Sequence, residues 1–143
     1  MVDVYKKVFK SYPFPIFDPD YLIETMNDNV QYFGIQRDDQ LVAISSAEID
    51  VEGQNAEMTD FATLPDFRGK KLSVFLLQRM EQVLTGQGIK TFYTIARLNS
   101  IPMNKTFFKL GYKYAGTLLM NTNISGRIES MNVLYKQASP VNA

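Results

Sequence analysis

The chain has 143 residues, 45% of them hydrophobic and 21% charged, which is the ordinary range for one globular domain with its own core. Fifteen basic residues balance fifteen acidic ones, so no electrostatic footprint favours nucleic acid or an anionic membrane, and a small molecule or a protein is the better-fitting substrate. Neither cysteine nor histidine is present, which excludes disulfides, thiolate nucleophiles, Cys/His zinc sites and Ser-His catalysis, and leaves a carboxylate, tyrosine, lysine or water as general base.

Apolar Val4, Tyr5, Val8 and Phe9 recur at helical spacing near 2–11, and Tyr12-Pro13-Phe14-Pro15 ends that helix. Asp18 supplies an N-cap and Pro19 the first position of a second helix that runs to about Met26. From Val30 the period changes to that of a strand, through Gln36. Asp38-Asp39 makes the turn, and Gln40 to about Ile49 is the hairpin partner. A third strand covers about Ala56 to Thr63, after the turn at Glu52-Gly53-Gln54-Asn55, and completes an antiparallel meander.

Leu64 to Gly69 reads as a loop. The helix after it has Leu72, Phe75, Leu76, Met80, Val83 and Leu84 on one stripe and stops at Gly86-Gln87-Gly88. Thr91 to Ala96 is a strand expected to run parallel to its predecessor across this helical crossover. A helix from about Ser100 to Leu110 follows, closed by Gly111. Two last strands span Tyr112 to about Asn123 and Arg127 to Tyr135, with Ser125-Gly126 at their turn. The fold class is therefore α+β, a mixed and mainly antiparallel sheet with flanking helices. Residues 1–137 are expected to form one domain and 138–143 a frayed tail. No run approaches the roughly 20 apolar residues that span a bilayer, and the first residues lack the apolar core of a signal peptide. A cytoplasmic setting is expected, without metal, and a homodimer is allowed.

A strand, the turn Arg68-Gly69-Lys70-Lys71-Leu72-Ser73 and then a helix bring backbone N–H groups to the positive end of a helix dipole. That is an anion site in physical terms, with three cationic side chains beside it. Taken alone, such a pattern is more often a solvated basic loop. It is not a P-loop, because the two glycines and the Lys-Ser/Thr ending are missing.

In context, the element order and the segment from Ala62 to Ser73 resemble the coenzyme A motif of the GCN5-related N-acetyltransferase (GNAT) family, Arg/Gln-x-x-Gly-x-Gly/Ala. Arg68 fits the first motif position, Lys71 stands where the first glycine is usual, and Ser73 replaces the second small residue. A β-carbon at Lys71 means that φ stays negative there or that strain is accepted. The blocks Asn55 to Pro65, Tyr93 to Arg97, Met103 to Phe107, Gly111-Tyr112, Asn121 to Ile124 and Ile128 to Val133 are similar to the β-lysine N6-acetyltransferase family. The resemblance implies acetyl transfer from acetyl-CoA to a primary amine, above all N6 of β-lysine, in osmolyte synthesis. Alternatives are another small amine, a protein lysine or N-terminus, and a catalytically weak regulatory domain that binds CoA. By the same resemblance, Phe61, Ala62, Thr63, the turn Arg68–Ser73, Asn104 and Phe107 are expected to hold the cofactor. Members of that family are typically longer at the N-terminus and a complete domain usually begins with a strand, so the chain is expected to be the C-terminal catalytic piece of a longer protein, or else a short member.

An alkyl ammonium with pKa about 10.4 is neutral roughly once in 10³ molecules at pH 7, so deprotonation costs about 4–5 kcal/mol unless the site helps. The candidate bases are Glu57 and Asp60 on the third strand. Three residues apart, they point to opposite faces of a regular strand, unless a bulge re-aims one of them; Glu57 is preferred. The resemblance puts a tyrosine acid where this chain has Phe107, which leaves Tyr93, Tyr112, Tyr114 or solvent to protonate the thiolate. For the substrate, Glu129 suits an ammonium and Arg97 a carboxylate, and Tyr93, Asn121, Asn123 and Asn132 supply further contacts.

Overall fold

The structure is a computed structural model that describes residues 1–124 and 127–138, with side chains given outside 120–127. Two short helices come first, α1 (Val2–Val8) and α2 (Pro19–Met26). Asp18 caps α2 by accepting from the Asp20 amide at 3.0 Å, with Pro19 at its first position, as the sequence implies. The meander follows as β1 (Val30–Arg37), β2 (Gln40–Asp50) and β3 (Asn55–Thr63). Asp38 and Asp39 both take positive φ, 48° and 63°, which matches the twist of a two-residue hairpin.

After a single 3-10 turn at Pro65–Phe67 come α3 (Leu72–Gly86), β4 (Thr91–Arg97), α4 (Ile101–Lys109), β5 (Lys113–Ile124) and β6 (Arg127–Gln137). The expected turn at Ser125-Gly126 and the last five residues of the expected tail lie outside the described residues. The six strands make one sheet in the order β1-β2-β3-β4-β6-β5, in which only β3 and β4 pair in parallel. The last hairpin therefore folds back so that β6, not β5, lies against β4.

Six consecutive residues of β2, Val42 to Ala47, are buried, so the sheet is covered on both faces. One core cluster joins α1 and α2 to the sheet through Tyr5, Phe9, Ile16, Val42 and Ile44, and the other gathers Met58, Leu77, Met80, Phe92, Phe107 and Leu134. Helix α3 feeds both clusters through Leu72, Leu76, Leu77, Met80 and Leu84. The stripe read from the sequence is thus rotated: Leu77 is fully buried, whereas Phe75 is 58% exposed. A hydrophobic period locates a helical face only to within a neighbouring column, and packing chooses between columns. No helix among the described residues is long and apolar enough to cross a membrane.

Candidate active site

β3 and β4 pair only over Asn55–Glu57 with Thr91–Tyr93 and then part, while β4 continues its ladder with β6 as far as Arg97. The divergence leaves the main chain of β3 beyond Glu57 without a strand partner on that side. A cavity of about 640 Å³ fills the gap. Thr59, Asp60, Phe61 and Thr63 line it from β3, and Thr94 to Arg97 line it from β4. Phe107 closes its base, edge-on to Phe61 with ring centroids 5.5 Å apart. Val8 at the end of α1, and Phe9 and Tyr12 in the segment after it, cover it.

One end of this cavity is the turn, where Arg68, Gly69, Lys71, Leu72 and Ser73 all contribute. Gly69 has φ +78° and Lys71 φ +60°. The turn therefore accepts left-handed strain at a lysine, of about 1–2 kcal/mol, rather than keeping φ negative there. Lys71 is the N-cap of α3 but makes no side-chain cap bond, so the first-turn amides of a 15-residue helix open onto the cavity uncapped by a side chain. Arg68 folds back, its Nε donating to the Thr63 carbonyl at 3.3 Å, and Lys70 stacks over Phe67 at 5.2 Å from the ring centroid. These features fit a long ligand with a phosphate end and an apolar arm.

At the other end β3 is bulged. Ser46 pairs with Thr59 and Ile44 with Ala62, so β3 holds one residue more than β2 over that interval. Asp60 takes φ +54°, the left-handed region that a bulge needs. The opposite-face expectation for Glu57 and Asp60 thereby gives way. Both line a second cavity of about 210 Å³, together with Glu48, Tyr21, Tyr32 and Phe14. Thr59 and Asp60 belong to both cavities, so the two spaces meet at the bulge.

The two carboxylates differ in surroundings. Asp60 accepts from the Tyr12 hydroxyl at 2.5 Å and from Ser46 Oγ at 2.8 Å. Glu57 stands directly across the ladder from Glu48. Burial, then the charges of Glu48 and Asp60, push its carboxyl from 4.5 up to about 7, against a lowering hydrogen bond with Thr59. A group poised near neutrality takes and returns protons at physiological pH.

Several residues expected at the site are placed elsewhere. Ala62 is buried in the core, Lys70 lies on Phe67, and Asn104 is spent on structure; none of the three lines the large cavity. Asn104 Nδ2 donates to the carbonyls of Arg97 and Ser100 at 2.9 and 2.8 Å, and its Oδ1 accepts from Asn132, whose own Oδ1 accepts from Thr117. This chain of amides ties the start of α4 to β4, β6 and β5. Arg97 and Glu129, expected to grip opposite ends of a substrate, grip each other: two bonds join them, one of 3.0 Å from Arg97 Nη2, and the Glu129 side chain is 2% exposed. Arg97 nevertheless lines the large cavity. Tyr93 sits beside Glu57 in the parallel register, its phenol raised by burial and by Glu57. Tyr112 faces the core and Glu81, and Tyr114 is exposed against Thr117, so neither lines either cavity. The side chains of Asn121 and Asn123 lie outside the described residues.

Sequence reasoning passed over Tyr12, Ser46, Glu48, Tyr21 and Tyr32. Glu48 had a signal, as the acid that directly follows the apolar and small run Val42 to Ala47. Tyr12 had none beyond its place before Pro13, because its partner is 48 residues away.

Comparison with known proteins identifies the family and the fold. A family model described as the acetyltransferase (GNAT) family matches residues 1–112. A β-lysine N6-acetyltransferase of Methanococcus maripaludis is 51% identical over 132 residues, which cover 92% of this chain and 48% of that protein. The N-acetyltransferase YodP of Bacillus subtilis is 42% identical over 134 residues, covering 94% and 49%. The chain thus spans about half the length of the curated relatives it matches. Among solved structures, the ribosomal-protein-S18-alanine N-acetyltransferase of Escherichia coli superposes with a TM-score of 0.82 at 13% identity, over 99% of this chain and 87% of that one. At such low identity the likeness concerns the fold.

Proposed function

The chain belongs to the acetyltransferase (GNAT) family, and on that premise we propose that it transfers an acetyl group from acetyl-CoA to a primary amine, most specifically N6 of β-lysine. The amine specificity rests on the relatives of that activity, 51% and 35% identical to this chain. The observation that carries the reading is the meeting of two unlike cavities at the bulge, with Glu57 raised to about 7 beside it.

Bound acetyl-CoA supplies the acetyl group as an activated thioester. The amides of Leu72 and Ser73 and the charge of Lys71 and Arg68 suit its pyrophosphate, and the unpaired edge of β3 from Phe61 to Thr63 suits the amides of its arm. Glu48, Glu57 and Asp60 attract an ammonium into the smaller cavity, and the faces of Tyr21, Tyr32 and Phe14 cover its alkyl chain. Glu57, ionised in about half the molecules at neutral pH, takes the proton that makes the amine a nucleophile. Phe107 brings no hydroxyl to the large cavity and the Tyr12 hydroxyl is held by Asp60, so water is the proton source for the departing thiolate.

The test is thiol release on incubation of the chain with acetyl-CoA and β-lysine, lysine, spermidine or a lysine-containing peptide. Release with β-lysine well above the others is expected. Release with the peptide alone would replace the substrate, and CoA binding without release from any amine would overturn the transfer reading.

A further inference from the structure

Asp60 sits where the two cavities meet, and each of its oxygens is held by a hydroxyl. Tyr12 donates to Oδ1 at 2.5 Å, and Ser46 donates to Oδ2 at 2.8 Å from the neighbouring strand. Tyr12 reaches that point on the turn after α1, its ring packed on Phe9 with centroids 4.8 Å apart. Two residues further on, Phe14 lines the smaller cavity, whereas Phe9 and Tyr12 line the larger. Pro13 and Pro15 stiffen the connection between them. The Tyr12 hydroxyl, bonded to Asp60 and to Thr59, thus fastens the N-terminal segment, which helps to wall both cavities, to the bulge they share.

Two roles are open to a tyrosine in that position, proton donor or anchor, and chemistry separates them. An ordinary phenol at about 10 already holds its proton roughly thirtyfold more tightly than a thiol near 8.5. Burial, the Asp60 charge and the hydrogen bond to Asp60 push the Tyr12 phenol well above its ordinary value, against a lowering hydrogen bond with Thr59. Its proton is committed to the carboxylate. A left-handed aspartate in the middle of a strand, by contrast, is a conformation that persists only where the surroundings hold it.

Building on the acetyl-transfer reading above, we infer that Tyr12 is a positioning residue, which through Asp60 locks the β3 bulge and so sets how the cofactor cleft and the amine pocket face each other. Its ring walls the larger cavity, while its hydroxyl acts through Asp60. Ser46 is the second anchor of the same carboxylate. Thr59 Oγ1 also reaches Oδ1, but at 3.5 Å it is too long to fix the carboxylate by itself, so once Tyr12 or Ser46 is lost the loss of the other adds little.

The experiment combines steady-state kinetics with hydrogen exchange on the whole chain, for Tyr12→Phe, Ser46→Ala and the double variant. Phenylalanine keeps the ring against Phe9 and removes only the donor. Expected in Tyr12→Phe are a kcat about tenfold lower with KM for acetyl-CoA within about twofold, and faster exchange of the Thr59 to Phe61 amides. In the Ser46→Ala background the same change should lower kcat by about twofold or less. Full kcat in Tyr12→Phe, or an equal loss in both backgrounds, would overturn the inference. If the unaltered chain releases no thiol with any amine, the transfer reading falls by itself. Exchange at residues 59–61 then decides the anchor, and exchange unchanged by Tyr12→Phe refutes it.

Discussion

Replacing Glu57 by glutamine tests the carboxylate proposed as the general base, and does so through stability as well as rate. In the folded chain this carboxyl is raised from 4.5 to about 7 by burial, Glu48 and Asp60. The difference of about 2.5 corresponds to at most about 3.4 kcal/mol of folding free energy, and partial exposure to water reduces this to about 1–2 kcal/mol. Its sign follows from which state binds the proton. Below about 4.5 both states are protonated and the raised value costs nothing. Between 4.5 and 7 the unfolded chain ionises first, so stability falls as pH rises, and above 7 the whole cost is present. Glutamine has no proton to lose, so Glu57→Gln should match the unaltered chain near pH 4 and exceed it by about 1–2 kcal/mol at pH 8. Urea denaturation of both proteins across pH 4 to 8 measures this. The same substitution removes the base and should lower kcat/KM by about 10²-fold or more. Parallel stability curves, or a variant less stable at pH 8, would refute the electrostatic reading of the site, and an unchanged pH–rate profile would refute Glu57 as base.

Glu48→Gln removes the charge that faces Glu57 across the strands, while Asp60 and Tyr93 remain beside it. The acid limb of kcat/KM should move to lower pH, as pH–rate profiles will show; a limb that stays in place means that Glu48 does not act on the base. Lys71→Gly relieves a left-handed lysine at φ +60° and should add about 1 kcal/mol to stability in thermal or urea melts. If it instead weakens CoA binding more than about threefold, the lysine charge matters more to the cofactor than the strain does to the fold. Arg97→Met takes the guanidinium away from a Glu129 side chain that is only 2% exposed. Destabilisation by about 3 kcal/mol is expected in denaturant titration, whereas a raised amine KM with normal stability would return Arg97 to the substrate.

Local chemistry wrote much of this molecule into its sequence. Asp18-Pro19 opens α2, Asp38-Asp39 turns the first hairpin, and Gly86-Gln87-Gly88 ends α3, because caps and turns are satisfied by residues only a few positions apart. The turn at Arg68–Ser73 was legible for the same reason: a strand, a glycine and the start of a helix make an anion site from contiguous backbone. What residues do to one another over long separations was not. Arg97 and Glu129 looked like two hands for a substrate until the pairing of β6 with β4 joined them. The bulge at Asp60 depends on the match between β3 and β2, which neither strand contains alone. The Glu57 carboxyl is raised to about 7 only because the fold removes water from it and the meander sets Glu48 across from it. Tyr12 enters the site from 48 positions away. The elements, their order and the strand-turn-helix at Arg68–Ser73 could be read from the chain alone, since these rest on short-range hydrogen bonding and periodicity. The tertiary structure decided which carboxylates share a pocket and which charges cancel, because electrostatic energy depends on distance and burial, and both are properties of the folded chain.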